Sequence, residues 1–398
     1  MFYNIDMDPV ERLKLQNEYL DLELDGESCK QLPASRLRHT VISHAVLPGG
    51  RRIPLVKGMI TSACERNCYY CPFRAGRDFR RASFQPDELA RTFLALYGAG
   101  IAQGLFLSSG IITSGQSTQD KILATAEILR EKLNYQGYLH LKIMPGVDYA
   151  QLERACQLAN RISINLEAPN QPRLTQLAPK KKFAQLEEPL RWFRSISNSL
   201  SPTLKDKHPS ATTQFVVGSV GEPDKELLAT TAHVYKQYHL SRVFYSSFRP
   251  APGTPFENIA PSSPERQVRL YQASFLLRDY NFSCDEFVYH ADGNLSPAGD
   301  PKRLWADKHL REEPVEINSA EYQALIRVPG IGKMGAGRIV KSRQRQKINN
   351  IDELTKFGLN VQRIAPFVLV RGRRPAQQAS FPEIMPQNHY HALATRIT

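Results

Sequence analysis

Three cysteines, Cys64, Cys68 and Cys71, fall within eight positions directly after the apolar run Ile53 to Ile60. A short β-branched run of that kind predicts a buried strand, and the polar string after it predicts a loop at the strand's carboxyl end. In sheets of parallel strands that end is where sites form. Spacings of three and two intervening residues let one short loop present three thiolates to the same side of a cubane 4Fe-4S cluster, which takes four cysteines when the chain supplies every ligand. With the fourth missing, one iron is left open to a small chelating ligand, and the amino and carboxylate groups of S-adenosylmethionine suit it. A zinc site is the competing reading; it wants four closed ligands, for which His39 or His44 would have to serve. Cys29, Cys156 and Cys284 stand alone, and Cys156 shares a helical face with Leu152 and Ala159, as a core residue does.

From about Arg51 onward, short β-branched runs alternate with longer amphipathic stretches. The candidate strands are Ile53 to Ile60, Gly104 to Ser108, Tyr138 to Ile143, Arg161 to Leu166, Thr212 to Val217 and Arg242 to Ser246. Between and after them, Pro86 to Leu96, Asp120 to Leu133, Tyr149 to Ala159 and Pro264 to Tyr280 carry apolar residues at helical spacing. That rhythm predicts βα units and a parallel sheet. Pro- and Gly-rich passages at Pro250 to Pro264 and Asp292 to Pro301 punctuate its end, and Pro314 to Gly372 reads as several short helices. The expected organisation is an N-terminal extension with one amphipathic helix (1–50), an α/β domain (51–290), a connector (291–320), a helical module (321–374) and a tail (375–398).

With 41% hydrophobic and 23% charged residues, the balance is that of a globular chain, and six cysteines in 398 residues are too few for a disulfide scaffold. No apolar run approaches the roughly 18 residues of a membrane span, and Met1 to Asn17 lacks the apolar stretch of a secretory signal. The expectation is a cytoplasmic protein with no membrane partner. Net charge is +13, and Glu321 to Arg374 holds 12 basic residues against 3 acidic ones. Positive charge confined to one module points to a polyanion, because phosphate neutralisation needs clustered Lys and Arg; a solvated basic face is the plainer alternative.

The string Cys64, Cys68, Tyr70, Cys71 matches Cys-x3-Cys-x-aromatic-Cys and resembles the signature of the radical S-adenosylmethionine superfamily. The resemblance implies a partial, TIM-like (β/α)6 barrel holding a 4Fe-4S cluster on the three cysteines, with Tyr70 beside the cofactor. It implies that Ser108, Ser109 and Gly110 contact the methionine moiety of S-adenosylmethionine, although this chain has Ser-Ser-Gly where the superfamily has Gly-Gly-Glu. Glu167, or Asn165 as the alternative, would hold the ribose hydroxyls, and Val217 and Gly218 would pack on adenine. An electron donor such as flavodoxin or ferredoxin would reduce the cluster, and a 5′-deoxyadenosyl radical would abstract hydrogen from the substrate. Lys142, Tyr245 and Arg249 are candidates for steering that substrate from strand ends.

Leu325 to Val340, with its Pro329-Gly330-Ile331-Gly332 turn, resembles the helix-hairpin-helix motif, in which backbone amides and nearby cations grip a nucleic-acid backbone without reading bases. The expected contacts are Gly330, Gly332, Lys333, Arg338 and Lys341; such units also serve as protein contacts. The combination, with Asp300 to Ala306 as well, is similar to a family of radical S-adenosylmethionine proteins associated with DNA modification or repair, often encoded beside a uracil-DNA-glycosylase-like partner. It implies action on DNA or a nucleobase. Two alternatives stay open: a radical enzyme acting on tRNA or a peptide, and a non-enzymatic iron–sulfur DNA-binding redox sensor.

Overall fold

The computed structural model describes residues 7–20, 42–46, 51–201 and 208–375. Six parallel strands, β2 (Arg52–Met59), β3 (Gly104–Ser108), β4 (Tyr138–Lys142), β5 (Arg161–Ser163), β6 (Ser210–Val217) and β7 (Arg242–Ser247), hydrogen-bond in chain order. A seventh, β1 (Ile42–Val46), pairs antiparallel with β2. The seven curl into a half-barrel. Each of the six expected strands is present, whereas β1 was not foreseen. Its five residues, Ile42-Ser43-His44-Ala45-Val46, are too few to show a period, and only the ladder with β2 makes them a strand.

Crossover helices follow from local signals. Helix α2 (Pro86–Gly98) opens on a proline with Asp87 and Glu88 in its first turn. Helix α3 (Gly115–Glu127) is capped by Ser114, whose hydroxyl accepts from Ser117 N, and ends in a π-helical turn, Ile128–Lys132. Helix α4 (Tyr149–Leu158) begins in a capping box of Asp148 and Gln151. Leu139 and Leu141 of β4 are fully buried, while Tyr138, His140 and Lys142 alternate with them on the other face. Strand β5 stops three residues short of expectation. There the Leu166 amide donates to the Thr213 side chain at 3.1 Å instead of to a carbonyl, and Glu167, at φ 68°, rejoins β6 through Gln214 and Val216. The N-terminal helix, α1 (Pro9–Leu20), is joined to β2 by Gln16, whose amide both accepts from and donates to the Met59 backbone.

The described residues form two compact units: one runs through Ser274 and adds Tyr289–Leu295, and the other consists of Phe275–Val288 and the residues from Ser296 on. The second unit holds helices Pro301–His309, Tyr322–Arg327, Lys333–Arg343 and Val361–Ile364. It also contains a parallel two-residue strand pair, Val315–Glu316 with Val368–Leu369, that the sequence pattern did not show. No helix among the described residues is long and apolar enough to cross a membrane. Cys29, His39 and the tail beyond residue 375 lie outside the described residues.

Candidate functional site

The cysteine loop leaves β2 and is tied down along its length. Glu65 N donates to Ile111 O at 2.8 Å, Tyr69 N to Leu177 O at 2.9 Å and Ala75 N to Arg66 O at 2.8 Å. The Cys64 Sγ accepts two backbone amides, from Arg66 at 3.4 Å and Ile111 at 3.5 Å, which fix the direction of its side chain. Arg81 clamps both arms of the loop. One guanidinium donates to the carbonyls of Ser62 and Phe73 at 3.0 and 3.1 Å and to those of Arg74 and Arg77 at 3.0 and 3.2 Å, and it lies 4.1 Å from the centre of the Phe79 ring. Burial lowers its proton affinity, and the nearby sulfurs of Cys64 and Cys71 act in the opposite direction.

Gly110, after β3, explains the departure from Gly-Gly-Glu. A Cβ there would lie 2.2 Å from the carbonyl oxygen of Ala63, the residue before the first cysteine. The two loops pack backbone to backbone, so no side chain fits. Across the cleft, Glu167 is 4% exposed and forms an ion pair with Lys181 at 2.9 Å. Burial by itself would push the Glu167 carboxyl up, but Lys181, Lys142 and a hydrogen bond from Tyr70 outweigh it and hold it below the ordinary glutamate value. For Lys181 burial opposes the charge, and Glu167 together with Cys68 and Cys71 raises it. Lys181 thus balances a carboxylate and two sulfurs at once.

Cys64, Cys68, Cys71, Tyr70, Ser108, Ser109, Gly110, Asn165 and Glu167 all border one cleft at the carboxyl ends of β2 to β5, a space of about 780 Å³ that is partly open to solvent. Val217 and Gly218 do not border it. Val217 is fully buried, and Gly218, at φ 96°, donates its amide to the Glu222 carboxylate, which pairs with Arg266. Among the proposed steering residues Lys142 lines the cleft. Tyr245 does not, because its hydroxyl is 2.6 Å from that of Thr231 in the core, and Arg249 is exposed outside the lining. His44 lies on β1, away from the cysteine loop. Cys156 is buried on α4 with its thiol pushed up to about 12 by burial and by Glu153, so it is a core residue. Lys181 and Arg81 were missed by sequence reasoning, since a Lys in a Lys180-Lys181-Lys182 run reads as surface charge.

The donor set fits a cluster and its nucleoside ligand. Three thiols converge on one cleft, cations stand near the thiols, and Ser108, Ser109, Asn165 and Glu167 offer hydroxyl, amide and carboxylate groups to a polar organic molecule. Among the described residues no three His, Cys, Asp or Glu side chains are grouped as donors to a single metal ion.

In the second unit, helix Tyr322–Arg327 turns through Gly330, at φ 90°, into Lys333–Arg343. Gly330 needs its freedom: a Cβ would meet Ile364 Cγ1 at 3.0 Å as well as adopt a left-handed backbone. Gly332 is different. It caps the second helix at φ −96° and ψ 175°, a conformation open to any residue, with room around it. Lys333, Arg338 and Lys341 are all exposed on that helix. Lys333 sits 3.5 Å from Asp279, and Arg338 donates to Phe357 O at 2.7 Å, so both are partly occupied within the unit.

Residues 59–232 match the radical SAM superfamily, and residues 311–368 match the helix-hairpin-helix motif. No curated protein matches the chain. Among solved structures, the FeFe-hydrogenase maturase of Carboxydothermus hydrogenoformans is similar at 15% identity and TM-score 0.45, over 56% of this chain and 51% of that one. Methylornithine synthase is similar at 15% and 0.44, over 69% and 70%. A radical SAM methyltransferase from Sphaerobacter thermophilus is similar at 16% and 0.43, over 67% and 85%. This chain therefore spans about half the length of the maturase. The chain carries a radical SAM domain, the domain of enzymes that use a 4Fe-4S cluster and S-adenosylmethionine, followed in sequence by a helix-hairpin-helix motif.

Proposed function

We propose that this protein cleaves S-adenosylmethionine reductively and acts on a nucleic acid, DNA or one of its nucleobases, in modification or repair. The observation that carries the reading is the meeting of three thiols with Ser108, Ser109, Asn165 and Glu167 around one cleft. When bound, a reduced cluster and S-adenosylmethionine supply a 5′-deoxyadenosyl radical that takes hydrogen from a neighbouring substrate.

The chain's own groups would divide the remaining work. Cys64, Cys68 and Cys71 hold the metal. Glu167, kept ionised by Lys181, accepts hydrogen bonds from ribose hydroxyls, with Asn165 beside it. Ser108 and Ser109 offer hydroxyls to the amino acid moiety, and buried walls such as Leu186 and Pro189 keep water away. The second unit would hold the polymer through Gly330, Gly332, Lys333, Arg338 and Lys341; its matched motif and local charge support that role. A flavodoxin- or ferredoxin-like donor supplies the electron, and a uracil-DNA-glycosylase-like protein is the proposed companion.

The test is anaerobic reconstitution with iron and sulfide, then incubation with S-adenosylmethionine and reductant, measuring 5′-deoxyadenosine with and without DNA or RNA oligonucleotides. Formation of 5′-deoxyadenosine, increased by DNA, is expected. Zinc in place of iron and sulfide, or no cleavage by the reduced protein, overturns the reading.

A further inference from the structure

Inside the half-barrel a second space, which shares Lys142 and Asn165 with the cysteine cleft, runs along the concave face of the sheet. Two rungs of residues line it. On one, Lys57 stands opposite Phe106, Phe106 opposite His140, and His140 opposite Arg161; on the next, Lys142 stands opposite Ser163, and Ser163 opposite Thr212. In a closed barrel such rungs carry branched apolar side chains that fill the interior. Here they carry cations, hydroxyls and rings. No Asp or Glu is among the described residues that line this chamber.

Two features ask for a ligand. The Ser163 hydroxyl is buried, with the residue 7% exposed, and has no hydrogen-bond partner. An unsatisfied buried hydroxyl costs about 1–3 kcal/mol unless something fills its valence. Lys142 is drawn to Glu167 only at longer range, and Arg161 spends one nitrogen on the Ser210 hydroxyl at 3.2 Å. The two lie on neighbouring rungs, roughly 7 Å apart along the strands, a span their side chains close easily. Phe106 and His140, with ring centroids 4.6 Å apart, and the Gln214 amide supply planar and hydrogen-bonding surface nearby.

We propose that this chamber is the substrate site and that the substrate is a phosphate-bearing nucleotide unit, its phosphate held by Lys142, Arg161 and the Ser163 hydroxyl. The proposal rests on the radical chemistry assigned to the adjoining cleft, because the shared Lys142 and Asn165 place the chamber next to it. A free nucleotide and a nucleotide of a polymer offer the same chemistry, and the experiment separates them.

The test is calorimetry on the reconstituted full chain with S-adenosylmethionine present. The probes are the four 2′-deoxynucleoside 5′-monophosphates, the matching nucleosides, inorganic phosphate and a single-stranded oligodeoxynucleotide. A monophosphate is expected to bind at least about tenfold more tightly than its nucleoside, with inorganic phosphate competing. Arg161→Gln and Ser163→Ala, which do not border the cysteine cleft, should bring that ratio close to one. Should Arg161→Gln fail to fold, Ser163→Ala and phosphate competition on the unaltered chain decide. Binding of the oligonucleotide alone, weakened by either variant, assigns the site to polymer and supports the proposal. Equal binding of nucleotide and nucleoside, no binding of any probe, or oligonucleotide binding that neither variant changes overturns it, even while 5′-deoxyadenosine still forms. If no 5′-deoxyadenosine forms, the radical reading fails instead, and the nucleotide-to-nucleoside ratio still reports on the chamber.

Discussion

Glu167 concentrates the physical tension of the site. It is a non-glycine residue at φ 68°, a backbone state that costs about 1–3 kcal/mol, and its carboxylate is almost wholly removed from water. The strain persists because its amide and carbonyl are both bonded to β6, and the charge persists because Lys181 is 2.9 Å away. Removing one member of a buried pair leaves the other charge uncompensated. Glu167→Gln is therefore predicted to lower the stability of the cofactor-free protein by about 3–5 kcal/mol in urea unfolding followed by Trp192 fluorescence. Glu167→Gln with Lys181→Met should recover most of the loss. The sign with pH follows from the depressed carboxyl: the pair's contribution is present above the unfolded glutamate value near 4.3 and is lost as pH falls toward the lower folded value. An unchanged unfolding midpoint in the single variant would mean that the pair is not ionised in the fold.

At the scale of an element, the cysteine loop and the hairpin each lean on a close contact that a single substitution can disturb. For the loop it is the Gly110 backbone, pressed against Ala63 O; backbone cannot retreat as a flexible side chain can. Gly110→Ala is predicted to displace the start of the loop and cut iron and sulfide per chain by at least about half, while Gly98→Ala, with open space around it, leaves the content unchanged. For the hairpin it is Lys302, whose ammonium donates to Ile331 O at 2.8 Å and lies 4.7 Å from the centre of the Tyr280 ring. Burial pushes Lys302 down to about 8, with Arg363 adding to it and Asp300 opposing it. The unfolded chain therefore binds more protons than the folded one between pH 8 and the free-lysine value near 10.4, and stability rises with pH across that window. The unfolding midpoint of this unit, read from the buried Trp305, should climb from pH 8 to 10, and Lys302→Met should flatten the climb. A midpoint that falls over this range would show that Lys302 stays charged throughout.

For the whole molecule, charge is unevenly distributed: the strongly basic stretch sits in the second unit, and the first has a cation-lined chamber of its own. Backbone-gripping cations act through counterion release, so oligonucleotide affinity should fall linearly against the logarithm of salt concentration. Lys341→Ala is predicted to lower the magnitude of that slope by about 1 and to weaken all sequences alike. Filter binding over a salt series, using several unrelated oligonucleotides, checks it; a slope that the substitution leaves intact, or a loss confined to one sequence, removes Lys341 from the contact. Lys333 and Arg338, on the same helix, already have partners in Asp279 and the Phe357 carbonyl.

Much of the architecture is written in short stretches of chain. Short β-branched runs and period-3.6 patterns place six strands and their helices, and the cysteine spacing marks the loop, because all of these depend on neighbours a few residues apart; the start of α3 at Gly115, five residues before the expected Asp120, was not read. Gly330 is likewise readable, since a left-handed turn leaves few other choices. What the tertiary structure decided depends on pairing at a distance. Strand β1 exists through its ladder with β2, and the Arg81 clamp closes on backbone carbonyls, which carry no residue-type signature. Lys181, fourteen residues beyond Glu167, becomes its buried partner only in the folded chain, and the register of four strands turns Lys57, His140, Lys142 and Arg161 from scattered polar residues into one lining.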